Sequence, residues 1–118
     1  MTKIFAIYWY ALNVKQTYIY GGIKMTKVEE FFKKSQALNQ QVWDVMVRQA
    51  VEFSRGKNLD ASYDAQEVQQ LEVDLQNLRS NIQNTYGFIP SSLKNYYNAT
   101  LEMIQDIRNG ALLLSKDN

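Results

Sequence analysis

The stretch VWDVMVRQAVEF, from Val42 to Phe53, decides the fold that we predict for this chain. At about 3.6 residues per turn, its apolar side chains cover well over half of the circumference of a helix. Only Asp44, Arg48 and Glu52, with Gln41 one turn earlier, form a continuous polar strip. A helix this apolar needs cover on more than one side, from its own chain or from another chain. We therefore expect it to be the central helix of a small helical domain.

Length and composition indicate one domain and narrow the chemistry that it can perform. The chain has 118 residues, of which 46% are hydrophobic and 21% are charged, as is usual for a globular domain. It contains no histidine and no cysteine. These two absences exclude imidazole acid-base chemistry, thiolate nucleophiles, disulfides and the common zinc sites. We therefore predict a non-enzymatic protein with no cofactor, no metal and no small-molecule substrate.

Charge and hydropathy argue against two classes of partner, nucleic acids and membranes. The net charge of +1 lacks the clustered basic excess that nucleic-acid binding normally needs. Lys33 and Lys34 form the only adjacent basic pair, which we interpret as part of a solvated helix face. The apolar run from Ile4 to Leu12 has nine residues, whereas a transmembrane helix needs about 20. We predict no nucleic-acid partner and no transmembrane segment.

Residues 1–24 differ in composition from the rest of the chain. They contain four of the eight tyrosines and no acidic residue, although the chain has twelve acidic residues in total. A secretory signal after Lys3 lacks a convincing cleavage site. A β-hairpin that pairs Ile4–Leu12 with Gln16–Tyr20 fits the aromatic and β-branched composition. On this interpretation the segment is an N-terminal extension of the helical domain.

A further interpretation of this segment concerns the gene. The codons of Gly21-Gly22 can contain the purine-rich ribosome-binding sequence of bacterial messages, and Met25 follows after a two-codon spacer. We predict that the native protein begins at Met25 and that residues 1–24 are a translated leader in a bacterial or phage gene. Without the three lysines of this segment the basic residues fall from 13 to 10 against 12 acidic residues, a net charge of −2. The intact mass of the natural product tests this prediction.

Hydrophobic periodicity predicts three helices in the remainder of the chain, at about 27–54, 64–86 and 91–114. Thr26 with Glu29 forms a capping box at the start of the first helix, and Gly56 is placed to end it. Asp64 with Glu67 begins the second helix in the same way, although Asp60 or Ser62 could cap a slightly earlier start. Pro90 precedes the third, where its missing N–H is not needed. The capping residues thus place both ends of the first helix and the start of each of the others.

The second helix carries an apolar seam, and its opposite face is rich in Gln and Asn. The seam consists of Val68, Leu71, Leu75, Leu78 and Ile82. These residues have coiled-coil spacing, but the seam is too short to form an independent coiled coil. Short connections favour antiparallel neighbours. We predict an all-α fold, an elongated antiparallel three-helix bundle, in which residues 25–118 form a single domain and the first helix is the most buried.

Two other side-chain groups are weaker candidates for a functional site. Glu102 and Asp106, four residues apart, place two carboxylates on one helix face as in a di-metal bundle, but such sites also use histidine. We interpret the pair as surface charge. Tyr96-Tyr97 could form a platform for stacking bases, but the basic neighbours that such a site needs are few. We interpret these tyrosines as one buried and one half-exposed residue.

The excess of apolar surface on the first helix defines the candidate functional site. Trp43, Val47 and Val51 cluster on the flank furthest from Leu38 and Val42, and two neighbouring helices are not expected to cover both sides. We therefore expect an interaction or assembly protein that self-associates or docks on a protein partner through Trp43, Val47 and Val51. The expected location is the cytoplasm of a bacterial or phage-infected cell, or a virion.

In its Gln-rich amphipathic texture the chain resembles phasins and small helical phage proteins, without a motif that can be placed residue by residue. The resemblance to phasins implies an alternative function, in which the bundle opens and coats a lipid or polymer granule. The polar faces are rich in Gln and Asn, not in Lys and Arg, which argues against anionic membranes as the surface.

Overall fold

The computed structural model describes residues 26–111, which form three helices. They are α1 (Lys27–Ser54), α2 (Ala65–Tyr86) and α3 (Ser91–Asn109). The helices pack against one another, which confirms the predicted all-α three-helix bundle. The predicted leader and the alternative hairpin fall within residues 1–24 and lie outside the described residues.

The N-termini of α1 and α2 begin at the predicted capping residues. The Oγ1 atom of Thr26 accepts a hydrogen bond from the backbone N–H of Glu29 at 3.2 Å. The carboxylate of Asp64 accepts from the backbone N–H groups of Gln66 and Glu67 at 3.0 and 3.3 Å. Each cap of this kind contributes about 1 kcal/mol to the stability of its helix. Local sequence therefore fixes where both helices start.

The third helix ends earlier than the sequence pattern predicts. Its last residue is Asn109, five residues before the predicted end at 114. Gly110 adopts a left-handed conformation with φ 63°, which glycine reaches at little cost. A Cβ atom at this position would lie 2.8 Å from Cδ1 of Leu59, so the loop between α1 and α2 packs directly on the end of α3. Residues 112–118 lie outside the described part of the chain.

The helices run up, down and up along an elongated body of 53 × 25 × 21 Å. The first and third helices are parallel, because residues later in α1 contact residues later in α3. The Nδ2 atom of Asn39 donates to Oγ1 of Thr100 at 3.0 Å. Ten residues further along α1, Nε2 of Gln49 donates to the carbonyl of Ile107 at 2.7 Å. The second helix runs antiparallel to both.

The core consists of two clusters, one towards each end of the bundle, and Leu38 packs against both. Cluster 1 lies at the C-terminal end of α1 and contains Val42, Val45, Met46, Val68, Leu71, Leu75, Met103, Ile104 and Ile107. Cluster 2 lies at the other end and contains Phe31, Phe32, Leu78, Ile82, Leu93 and Tyr96. All five residues of the predicted α2 seam are buried, as expected from their spacing.

The first helix contributes more buried residues than either of the other helices. It has eight buried residues of 28, against five of 22 from α2 and six of 19 from α3, so its buried share is no larger than that of α3. Its central place rests on its packing against both of the other helices. Three of its eight buried residues are polar, namely Ser35, Asn39 and Gln49. The buried face of α1 is therefore less apolar than the pattern of valines suggests.

Candidate docking surface

The three predicted site residues lie at the solvent side of α1, and we call them the α1 flank (Trp43, Val47 and Val51). The side chains of Val47 and Val51 are 48% and 43% exposed. They are four residues apart, so they lie on adjacent turns of the same face. Trp43 is half-buried and packs against cluster 1. The structure therefore brings the two valines together in solvent and places Trp43 at the boundary with the core.

The free energy available from the two valines is modest. Fully burying a valine side chain contributes about 1.5–3 kcal/mol, so covering the exposed part of each adds roughly 1 kcal/mol. Their sum does not account for micromolar binding, which corresponds to about 8 kcal/mol. A partner that covers the α1 flank therefore also has to contact the surface around it.

A groove of about 460 Å³ lies beside the two valines. It is bounded by the C-terminal half of α1, by the loop of residues 55–64 and by the start of α2. Its volume falls within the range of about 300–1,000 Å³ that is usual for ligand pockets. Three cations and three carboxylates line it, so its formal charge is zero: Arg48, Arg55, Lys57, Glu52, Asp64 and Glu67.

Most of these charges are paired within the chain. The Nη2 atom of Arg48 lies 2.9 Å from Oε2 of Glu67, and this hydrogen bond raises the pKa of Arg48. Glu52 contacts Arg55 at 3.0 Å and also Lys57. The hydrogen bond from Lys57 is the main reason why the pKa of Glu52 is lowered. A groove whose charges already neutralise one another favours an uncharged or self-complementary partner over a polyanion.

The loop wall of the groove is held in place by Gln49, a residue that the sequence analysis did not single out. Gln49 is only 2% exposed, and its Nε2 atom donates to Oγ of Ser62 at 3.2 Å and to the carbonyl of Ile107 at 2.7 Å. The hydroxyl of Ser62 donates in turn to the carbonyl of Leu59 at 2.6 Å. One buried amide therefore ties the loop to both α1 and α3.

Two exposed aromatic side chains lie outside the α1 flank. Phe53 is 41% exposed and Phe88 is 61% exposed. The ring of Phe88 lies 6.3 Å from that of Tyr86, which packs edge-on against Phe31 at 5.9 Å. Phe88 therefore ends an aromatic row that starts near the N-terminus of α1. This row is at the opposite end of the bundle from Val51, so it is not continuous with the α1 flank.

The structure also shows where the two weaker candidate sites lie, the tyrosine pair and the carboxylate pair. Tyr96 is 2% exposed, whereas Tyr97 is half-buried with the guanidinium of Arg79 5.4 Å from its ring centre, as predicted for one buried and one half-exposed tyrosine. Glu102 is exposed and Asp106 is partly buried on the same face. Within residues 26–111, no three His, Cys, Asp or Glu side chains are grouped closely enough to hold a metal ion.

We expect replacement of Asp106 by asparagine to stabilise the protein at neutral pH. Burial, together with the charge of Glu102, raises the pKa of Asp106. The ionised form therefore destabilises the folded state above the folded-state pKa, and this penalty disappears as the pH falls below the unfolded-state pKa. We expect a small gain in the free energy of unfolding at pH 7, within the range of about 0.5 kcal/mol that is usual for surface substitutions, and no gain near pH 3.

Thermal unfolding of the wild type and Asp106→Asn at both pH values measures this difference. Glu102→Gln is a matched control, because it removes the neighbouring charge and leaves the burial of Asp106 unchanged. It is expected to give a smaller gain. An Asp106→Asn effect of equal size at pH 7 and pH 3 contradicts the electrostatic explanation.

Comparisons with known proteins assign no role to this surface. No family model matches the chain, and neither a curated protein nor a solved structure gives a significant match. Of the three described helices, none combines the length and the apolar composition needed to cross a bilayer.

Proposed function

We propose that this chain is a non-enzymatic interaction or assembly protein that self-associates or docks on a larger protein through the α1 flank. The observation that carries this proposal is the exposure of Val47 and Val51 beside the groove, on a helix whose other apolar residues are mostly covered by α2 and α3. Apolar side chains grouped next to a concave surface are typical of protein contact sites. We also propose a bacterial or phage origin, because Gly21-Gly22 ahead of Met25 can be encoded by a purine-rich ribosome-binding sequence.

The electrostatics of the groove favour binding over catalysis. A general acid or base that works near neutral pH needs a carboxylate with a raised pKa. The partners of Glu52 lower its pKa instead, and Glu67 is engaged with Arg48. Among residues 26–111 the carboxylate with a raised pKa is Asp106, which lies on α3 and does not line the groove. These charges therefore serve ion pairing and not proton transfer.

A site-specific crosslinker tests whether the α1 flank is a contact site. Because the chain has no cysteine, a single cysteine at Val51 can be labelled with a benzophenone maleimide without background. The matched control is Asn84→Cys on the exposed face of α2. Both labelled proteins are irradiated in an extract of cells that express the natural gene, and adducts are identified by mass spectrometry.

We expect a discrete protein adduct, either a second copy or another protein, from position 51 and not from position 84. Adding Val47→Glu to the Val51→Cys chain is expected to reduce that adduct, because it places a charge on the adjacent turn. The same adducts from both positions, or none from position 51, contradict the proposal. Flotation with neutral vesicles tests the phasin-like alternative, and binding that needs no protein partner would favour it.

A further inference from the structure

Four exposed residues, three on α1 and one at its C-cap, form a self-complementary row: Asp44, Val47, Val51 and Arg55. They are spaced three, four and four residues apart, so they follow one face of the helix over roughly 16 Å. Arg55 directly follows the last helical residue, with φ −88° and ψ 7°. The row, which we call the α1 row, thus has an acid at one end, a base at the other and two valines between them.

Both charged ends of the α1 row can reach a partner. Asp44 accepts a hydrogen bond from Gln40 at 3.0 Å, and it takes part in no salt bridge within residues 26–111. The side chain of Arg55 is 67% exposed and shares Glu52 with Lys57. If Arg55 turns to another carboxylate, Lys57 still neutralises Glu52. Neither end therefore has to break an essential contact of the bundle.

We propose that the partner of the α1 row is a second copy of this chain, with the two α1 helices antiparallel about a two-fold axis level with position 49. In this arrangement Val47 of each copy faces Val51 of the other, and Asp44 of each copy lies one residue from the level of Arg55 of the other, within reach of its long side chain. Such an interface is isologous, because the same surface is used twice. The inference rests on the proposed function and names its partner.

The order of the charges selects the antiparallel arrangement. Parallel helices would bring the two Asp44 side chains together at one end and the two Arg55 side chains together at the other. Like charges in direct apposition are destabilising, whereas the antiparallel arrangement forms two opposite-charge contacts. The valines alone do not distinguish the two directions, so direction is encoded by Asp44 and Arg55.

The size of the contact indicates a reversible dimer. One face of a single helix over this length is well below the surface of about 800 Å² per partner that stable complexes bury. The half-exposed ring of Trp43 and the rim of the groove add to it. We expect dissociation constants of roughly 100 µM at low salt and weaker association at high salt, because the charged contacts are exposed.

A charge-exchange experiment tests this arrangement by sedimentation velocity over a concentration series of the full chain. The variants are Asp44→Arg, Arg55→Asp and an equimolar mixture of the two. The Asp44→Arg copy has a positive charge at both ends of the row, and the Arg55→Asp copy has a negative charge at both ends. We expect at least a tenfold rise in the dissociation constant for each variant alone, and dimers close to the wild-type level in the mixture.

Controls separate this result from misfolding and from general charge effects. Circular dichroism verifies the helical content of each variant. Lys34→Glu changes the charge of another exposed face of α1 and is expected to leave the dimer intact. A wild-type chain that stays monomeric at millimolar concentration overturns the inference. A mixture that fails to restore the dimer overturns it as well.

The two proposals fail in different ways. If the wild type is monomeric and the labelled Val51→Cys chain still crosslinks to a different protein, the second-copy inference is wrong and the proposed function stands. If position 51 gives no specific adduct and the wild type is monomeric, both are wrong.

Discussion

Replacing Gln49 by glutamate is expected to lower the free energy of unfolding by about 3–5 kcal/mol at neutral pH, although the two side chains have nearly the same shape. The amide of Gln49 donates to the carbonyl of Ile107 and to Ser62 from a position that is only 2% exposed. A carboxylate cannot donate, so it would face the Ile107 carbonyl as a second acceptor and lose its hydration. Burial is expected to raise the pKa of the introduced carboxyl group.

The pH dependence distinguishes this explanation from simple loss of packing. Because the folded-state pKa of the new carboxyl is raised, the destabilisation is present above that pKa and is relieved as the pH falls through it. Urea unfolding of Gln49→Glu at pH 7 and pH 4.5 measures the recovery. Gln49→Leu is expected to cost about 2 kcal/mol at both pH values, since it only leaves polar groups without a partner.

An exposed glutamine on α2 provides the control. Gln76→Glu introduces the same change at an exposed position and is expected to alter stability by less than about 0.5 kcal/mol. If Gln49→Glu is as mild as Gln76→Glu, the amide of Gln49 does not hold the loop of residues 55–64 as described above. Slow exchange of the loop amides in wild type, lost in Gln49→Glu, would show the same role independently.

The helix starts were predictable because they depend on local chemistry. Thr26 and Asp64 each act on backbone N–H groups two or three residues away, so the sequence pattern contains the whole interaction. The α2 seam was predictable for a similar reason, since a spacing of three and four residues defines one face. Both features require no knowledge of the neighbouring helices.

Gln49 was missed because its burial depends on contacts that are distant in sequence. On a helical wheel Gln49 falls within the same arc as Val42, Val45 and Met46. This position was the one indication in the sequence that Gln49 would be buried. Its hydrogen bonds, however, go to a loop residue and to a carbonyl 58 residues away. The end of α3, by contrast, had a local signal in Gly110, because glycine readily adopts the left-handed conformation that ends a helix.

The candidate site was only partly predictable for the same physical reason. The wheel placed Trp43, Val47 and Val51 on one flank, but it did not indicate how far each would be covered. The packing of Trp43 against cluster 1 depends on where the neighbouring helices lie, and the groove depends on how the loop of residues 55–64 folds back. Asp44 and Arg55 were recognisable as polar residues, whereas their place at the two ends of an exposed row required the bundle.

Truncating Ile104 to alanine is expected to lower the free energy of unfolding by about 3–4 kcal/mol. Ile104 is fully buried in cluster 1, between residues of all three helices. Its removal loses the transfer free energy of the side chain and leaves a cavity that the surrounding helices fill only in part. Leu101→Ala on the same helix is the matched control, because Leu101 is only half-buried against that cluster. It is expected to cost about 1–2 kcal/mol.

The same measurement tests whether the two core clusters unfold together. Leu38 packs against both clusters, and the hydrogen bond from Asn39 to Thr100 joins the middle of α1 to the middle of α3. We therefore expect one cooperative unfolding transition. Leu93→Ala, in cluster 2, should therefore lower the same urea midpoint as Ile104→Ala and leave the slope of the transition unchanged. Two separate transitions in either variant would show that the ends of the bundle unfold independently. In that case cluster 1, which supports Trp43, would be the unit on which the docking surface depends.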